Sequence, residues 1–165
     1  MQAIGIQLDG SALRWALVKW DGRRLRILET KTELPENEVK LLYTKKKSIP
    51  LVSGLPCSDF ILRAHSLTSP PSRKLMDALI LQAQTQLHLK PEETLTLTTW
   101  PGKEKQATVY TTTLSSLDAH LEKCKRFELD PERVGAMPAA FLAFLKWKAP
   151  YFKSYFLIEI GQSAS

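Results

Sequence analysis

The sequence predicts an α/β fold built on a mixed β-sheet, with a small α/β subdomain inserted into it. The first observation is that three strands follow one another at the start of the chain, joined by short polar turns that predict an antiparallel meander. The second is that helices and short apolar strands follow, separated by turns rich in Pro, Gly and Ser. We therefore expect one sheet near the start of the chain and further α/β elements after it.

The first three strands are predicted at Ala3–Leu8, Ala12–Trp20 and Arg24–Glu33. Apolar side chains occupy both alternating faces of the second strand, which is typical of a strand covered on both sides. The dipeptide Asp21-Gly22 matches a two-residue hairpin turn, in which Gly22 supplies the positive φ. These features predict that the second and third strands pair as a hairpin.

The later elements are predicted from helical or alternating spacing and from their end signals. Ser72 is the expected N-cap of a helix that ends near His88, and Ser115 is the expected cap of another. Pro138 begins a final helix, where its missing N–H costs nothing. The remaining predicted elements are a helix from Pro35 through Leu42 and strands at Ile49–Ser53, Asp59–Leu67, Thr94–Trp100, Lys105–Thr113, Arg133–Met137 and Tyr155–Ile160.

The composition is that of an ordinary globular protein, since 44% of the 165 residues are hydrophobic and 24% are charged. The formal net charge of +6 suits an acidic partner, an anionic membrane face or nucleic acid, and selects none of them. The sequence has neither zinc-finger spacing nor a basic stripe interleaved with aromatic residues, which disfavours nucleic acid. Because no signal peptide and no apolar run of about 18 residues occurs, we expect a cytoplasmic protein.

Few side chains suggest catalysis or metal binding. His65, His88 and His120 show neither a nucleophile motif nor metal-ligand spacing, so we expect surface or helix-end positions for them. Cys57 and Cys124 are too few and too far apart for a disulfide framework, and Cys124 falls on an apolar helical stripe. The sequence therefore predicts no catalytic residue and no metal site.

Four groups of short motifs follow one another in a recognisable order. They are Ile4-Gly5-Ile6, Asp9-Gly10-Ser11 and Leu13-Arg14-Trp15; Leu51 to Pro56 with Phe60-Ile61-Leu62-Arg63; Leu81-Gln82-Ala83-Gln84 with Pro91-Glu92-Glu93; and Ala107 to Tyr110, Leu129-Asp130-Pro131 and Ile158-Glu159-Ile160-Gly161. This order resembles the first lobe of the actin-like ATPase superfamily. Within that superfamily it is most similar to the PilM and GspL branch of type IV pilus assembly and type II secretion, which is related to FtsA.

The resemblance implies a ribonuclease H-like first lobe with an inserted α/β subdomain. The actin-like parts would be residues 1–47 and 114–165, and the insertion residues 48–113. The strand predicted before Gly161 has no partner after it in the sequence. We therefore expect that the chain stops at the start of a second lobe, at a turn that resembles the second phosphate loop.

Both phosphate loops depart from the family pattern. The family's first loop reads Asp-Ile-Gly-Ser. In the simplest alignment Gln7 takes the place of its Asp, and Asp9 takes the place of its Gly. A shifted alignment instead matches Asp9-Gly10-Ser11 to the loop, with Asp9 as the family's Asp. A neutral amide cannot supply the charge that holds a Mg²⁺-phosphate group. The second loop reads Glu159-Ile160-Gly161 where the family has Asp-Ile-Gly. The resemblance thus implies a degenerate nucleotide site, whose residues would be Asp9, Gly10, Ser11, Glu159 and Gly161.

The family resemblance implies a scaffold that captures the cytoplasmic peptide of an inner-membrane assembly protein. The peptide would lie in a groove between the first subdomain and the insertion, at the inner face of the inner membrane. An assembly ATPase is a further implied partner, and membrane contact would come through a partner or a downstream segment. The residues expected to border this groove are Leu51, Val52, Leu55, Leu75 and Leu79.

Two alternatives remain open from the sequence. One is an active ATPase or kinase of the actin superfamily, of which this chain would be the first lobe; ATP and Mg²⁺ would then bind only in the longer protein, because nucleotide lies between two lobes. The other, weaker alternative is a nucleic-acid-binding module, for which binding would depend steeply on salt. We expect that this chain by itself binds no cofactor.

Overall fold

The computed structural model describes residues 1–9, 12–46, 48–67, 72–88, 90–99, 106–148 and 151, without the side chains of Asp9, Ala12 and Lys45. The chain divides into two compact units, residues 1–55 with 120–165 and residues 56–119. The elements of the first unit are β1 (Gln2–Asp9), β2 (Ala12–Trp20), β3 (Leu25–Leu34), α1 (Glu36–Lys45), β4 (Leu51–Leu55), β8 (Arg133–Ala136) and α4 (Met137–Lys148). Those of the second unit are β5 (Ile61–Ser66), α2 (Arg73–Leu87), β6 (Thr94–Thr99) and β7 (Gln106–Thr113), and the division falls within α3 (Leu114–Arg126).

The first unit is built on a five-stranded sheet in the order β3-β2-β1-β4-β8. The first three strands pair antiparallel, whereas β4 lies parallel to both β1 and β8. The sheet is therefore mixed, and the predicted fold class is confirmed. The insertion was predicted to begin at residue 48, whereas the second unit begins after Leu55, because β4 pairs within the sheet of the first unit.

One face of this sheet, the core face, carries the hydrophobic core of the first unit. Strand alternation places every second side chain of β1 and β2 on this face. Val39 of α1 and Cys124 of α3 belong to the same buried cluster, so these two helices cover the core face. The buried cluster comprises Ile4, Ile6, Leu8, Leu13, Trp15, Leu17, Leu34, Val39, Leu51, Cys124 and Leu129.

The second unit is a three-stranded antiparallel sheet, in the order β5-β7-β6, packed against α2. Its core joins Leu79 and Ala83 of α2 to Ala107 and Val109 of β7. The predicted N-cap of α2 is confirmed, because the Leu75 N–H donates to Ser72 Oγ at 3.2 Å.

Several element ends differ from the predictions. The β2–β3 connection has four residues, since Trp20 pairs with Leu25 and Asp21 Oδ1 accepts the N–H groups of both Arg23 and Arg24. The predicted cap of α3 at Ser115 is wrong, because α3 begins at Leu114 and the Ser116 N–H donates to Thr113 Oγ1 at 3.1 Å. The strand predicted at Tyr155–Ile160 lies outside the described residues.

Gly54 leaves room for the first residue of α4. A Cβ added at Gly54 would lie 2.8 Å from Met137 Cγ and still closer to its sulfur, whereas one added at Gly5 would meet nothing within 4 Å. We expect Gly54→Ala to lower the free energy of unfolding by about 1 kcal/mol relative to Gly5→Ala, because the flexible Met137 side chain must move aside. Gly5→Ala is the control, and chemical denaturation measures both.

A double-mutant cycle tests the cause. In a Met137→Ala background the cost of Gly54→Ala should shrink to within about 0.5 kcal/mol of zero, because the clashing side chain is gone. An undiminished cost in that background would contradict this explanation.

Candidate functional site

The second face of the five-stranded sheet, here called the outer face, carries a cavity of about 420 Å³. Gly5, Ala16, Val52 and Gly54 lie on this face, between the core residues with which they alternate along their strands. The cavity lies over the middle of β1 and β4 and the carboxyl-terminal end of β8, and it extends across the antiparallel strands β2 and β3. The outer face is therefore the candidate functional site of the first unit.

The cavity exists because small residues are neighbours across the strands. Gly5 pairs with Ala16 on β2 and with Val52 on β4, and Ala16 pairs in turn with Thr30 on β3. Gly54 is likewise flanked by Gly135 on β8. Short side chains in adjacent register positions leave a depression that larger residues would fill.

Helix α4 forms one wall of the cavity, where Met137 and Ala140 line it. Much of the apolar surface of this helix faces solvent, since Phe144 and Trp147 are 49% and 43% exposed. Their rings contact each other with centroids 5.7 Å apart. The cavity thus continues into an exposed apolar helix surface, a combination that commonly marks an interaction site.

The polar side chains at the cavity are amides, hydroxyls and cations. Gln7 and Arg14 are cross-strand partners, and Thr30, the partner of Ala16, lies on the same face of β3. None of the described residues that line the cavity is a carboxylate. Because Mg²⁺ in nucleotide sites is held through carboxylates and phosphate, these residues offer it no charged ligand.

The structure describes only part of the predicted nucleotide site. Asp9 is the last residue of β1 and pairs with Ala12, so that two residues connect the strands. Gly10, Ser11, Glu159 and Gly161 lie outside the described residues. Gln7, which takes the place of the family's Asp, lines the outer-face cavity.

The residues of the predicted partner groove are divided between the two units. Leu51 and Leu55 on β4 are each 1% exposed, and Leu79 on α2 is buried in the core of the second unit. Leu75 is half-buried against that same core. Val52 belongs to the outer-face cavity, and the groove itself stays a prediction.

One expectation about the histidines is wrong. His120 is 4% exposed, and its Nε2 lies 3.0 Å from Ser53 Oγ and 3.8 Å from Cys124 Sγ. Burial raises the pKa of the Cys124 thiol, while the hydrogen bond from Ser53 acts in the opposite direction. A neutral, enclosed thiol is a poor nucleophile, so this cluster is part of the core. Among the described residues, no group of three or more His, Cys, Asp or Glu is arranged for a metal.

Two solved structures share this fold. The cytoplasmic domain of EpsL, an inner-membrane component of the type II secretion system of Vibrio cholerae, matches with a TM-score of 0.55 and 18% identity over 81% of this chain and 56% of its own. The PilM–PilN type IV pilus biogenesis complex matches with a TM-score of 0.59 and 19% identity over 88% of this chain and 50% of that one.

The predicted resemblance to the PilM and GspL fold is therefore confirmed, and the chain spans about half the length of these structures. A Bacteroides thetaiotaomicron protein of unknown function with an actin-like ATPase fold gives a TM-score of only 0.43, with 11% identity over 93% of this chain and 58% of its own. No protein-family model and no curated protein matches the sequence. No helix within the described ranges is long and apolar enough to cross a membrane.

The burial of Cys124 predicts a difference in thiol reactivity. Both cysteines are thiols, and Cys57 is the more exposed of the two. Iodoacetamide at pH 8 should alkylate Cys57 of the native protein at least tenfold faster than Cys124, because burial disfavours the Cys124 thiolate. Peptide mass spectrometry measures both rates, and denatured protein is the control in which they should converge. Equal rates in the native protein would contradict the buried cluster.

Proposed function

We propose that this chain is a scaffold of a bacterial pilus or secretion assembly complex at the cytoplasmic face of the inner membrane. In this role it binds the cytoplasmic tail of a membrane partner. The observation that supports this most is the fold it shares with PilM of a PilM–PilN complex and with the cytoplasmic domain of an inner-membrane secretion component.

The outer-face cavity is the surface that we propose for the tail. Its depression between Gly5, Ala16 and Gly54 can take one or two bulky apolar side chains, and α4 provides an adjoining apolar wall. Arg14 and Gln7 lie at the same cavity and can hydrogen-bond to main-chain or acidic groups of an incoming peptide. Such a surface fits an amphipathic peptide segment.

We further propose that the nucleotide site is degenerate. Gln7 is neutral where the family resemblance expects Asp, and the described residues around it offer no carboxylate. A phosphate group with bound Mg²⁺ would therefore lack the anionic protein ligands that usually orient the metal. The competing function, an ATPase or kinase, would need those ligands from elsewhere.

Isothermal titration calorimetry tests the binding role with synthetic cytoplasmic tails of inner-membrane pilus and secretion proteins from the host genome. We expect one tail to bind, and Ala16→Trp to weaken it at least tenfold, because the indole fills the cavity. Ala64→Trp on the exposed face of β5 is the matched control and should bind as the unmodified chain does. Leu75→Ala, with its fold checked by thermal melting, probes the predicted groove instead.

The same calorimeter tests the ATPase alternative. We expect no heat of Mg²⁺-dependent ATP binding. ATP binding that requires Mg²⁺ and is lost in Asp9→Ala or Glu159→Ala, together with no binding of any tail, would contradict the proposed function.

A further inference from the structure

The tip of the β2–β3 hairpin, residues 19–28, combines exposed apolar and basic side chains. Trp20, Ile27 and Leu28 are 45%, 51% and 48% exposed. The same ten residues contain four basic side chains and one acidic one, a net charge of +3: Lys19, Arg23, Arg24 and Arg26 against Asp21. We propose that this hairpin tip binds an anionic phospholipid surface, which goes beyond the scaffold role and does not depend on it.

The strand register separates apolar from basic side chains. Val18 pairs with Ile27 and Trp20 pairs with Leu25, which places these four on the outer face of the sheet. Lys19 pairs with Arg26 on the opposite face. The hairpin is therefore amphipathic, with an apolar side that can enter the headgroup region while the arginines at its edge contact phosphates.

The turn holds the two tip arginines in place and leaves their side chains exposed. Asp21 Oδ1 accepts the N–H groups of Arg24 at 2.7 Å and Arg23 at 3.0 Å. These hydrogen bonds lower the pKa of Asp21, the Arg24 contact having the larger effect. The carboxylate of Asp21 thus holds the backbone of the turn, and its Oδ2 lies 3.8 Å from Arg26 Nε. Arg23 and Arg24 stay exposed.

The next acidic residue does not cancel the positive charge of the tip. Glu29 is hydrogen-bonded to Lys46, and Lys31 lies 3.9 Å from its other oxygen. These contacts with Lys46, and the charge of Lys31, lower the pKa of Glu29. The carboxylate of Glu29 is therefore matched by nearby lysines, and the hairpin keeps a local excess of arginine.

Charge complementarity favours lipid headgroups as the binding partner. A nucleic acid would also attract the arginines, but its phosphate backbone offers no apolar region to bury the exposed isoleucine and leucine beside them. A membrane interface accommodates both kinds of side chain and is where tryptophan concentrates in membrane-bound proteins. With a net charge of +3 at the hairpin tip, binding to the membrane would be weak and reversible. Such weak binding suits a surface that works together with a second binding contact.

Vesicle co-sedimentation with the full chain tests the proposal, without any partner peptide, so its outcome is separate from that of the scaffold role. We expect binding to vesicles with 30 mol% phosphatidylglycerol at 50 mM NaCl, and little binding to pure phosphatidylcholine. Arg23→Gln with Arg24→Gln should weaken binding about 25-fold, about fivefold for each basic residue removed. Trp20→Thr with Ile27→Thr, which keeps β-forming residues, should weaken it several-fold.

The matched control is Arg73→Gln with Lys74→Gln at the start of α2, which removes the same charge from exposed positions of the second unit. It should bind as the unmodified chain does, and thermal melting confirms that every variant is folded. Equal loss in the control, no loss in the hairpin variants, or no vesicle binding would each overturn the proposal. Binding to polyuridylate but not to vesicles, lost in the hairpin arginine variant, would assign the hairpin to nucleic acid and overturn it as well.

Discussion

β1 is paired along both of its edges, and the architecture of the first unit depends on this strand. It is antiparallel to β2 and parallel to β4, so it joins the meander to the parallel half of the sheet. Its alternation places Ile4, Ile6 and Leu8 in the core and leaves Gly5 and Gln7 on the outer face. A one-residue slip of register would exchange these two sets, burying an amide and exposing the core.

The same constraint gives the two faces of this sheet different side chains. On the core face, large aliphatic side chains and Trp15 pack against α1 and α3. On the outer face, small residues in adjacent register positions leave a cavity beside α4. The residues of the core and those that line the cavity therefore lie on opposite faces of the sheet. The basic hairpin lies at the far end of the same two strands, β2 and β3.

Local sequence patterns predicted most of the helices and strands. They failed for features that depend on contacts between residues far apart in the sequence. Alternation and turn residues identified β1 to β3, and Ser72 identified the start of α2. The burial of His120 could not be predicted, because its partner Ser53 is 67 residues away. The outer-face cavity was missed for a similar reason: Gly5 and Ala16 are unremarkable alone, and only the register makes them neighbours. The four-residue hairpin turn depends on Asp21 accepting two N–H groups, which the dipeptide Asp-Gly does not reveal.

The proposed role requires that the outer face of the five-stranded sheet binds a polypeptide and not a nucleotide. Backbone amide NMR measures this directly, by titrating the labelled chain with a binding tail and, separately, with ATP and Mg²⁺. The proposed role predicts that the tail shifts the amide signals of Gly5, Ala16 and Gly54, while ATP with Mg²⁺ leaves the signals of residues 5–9 unchanged. Shifts caused by ATP with Mg²⁺ at residues 7–9, with none caused by the tail on the outer face, would contradict it.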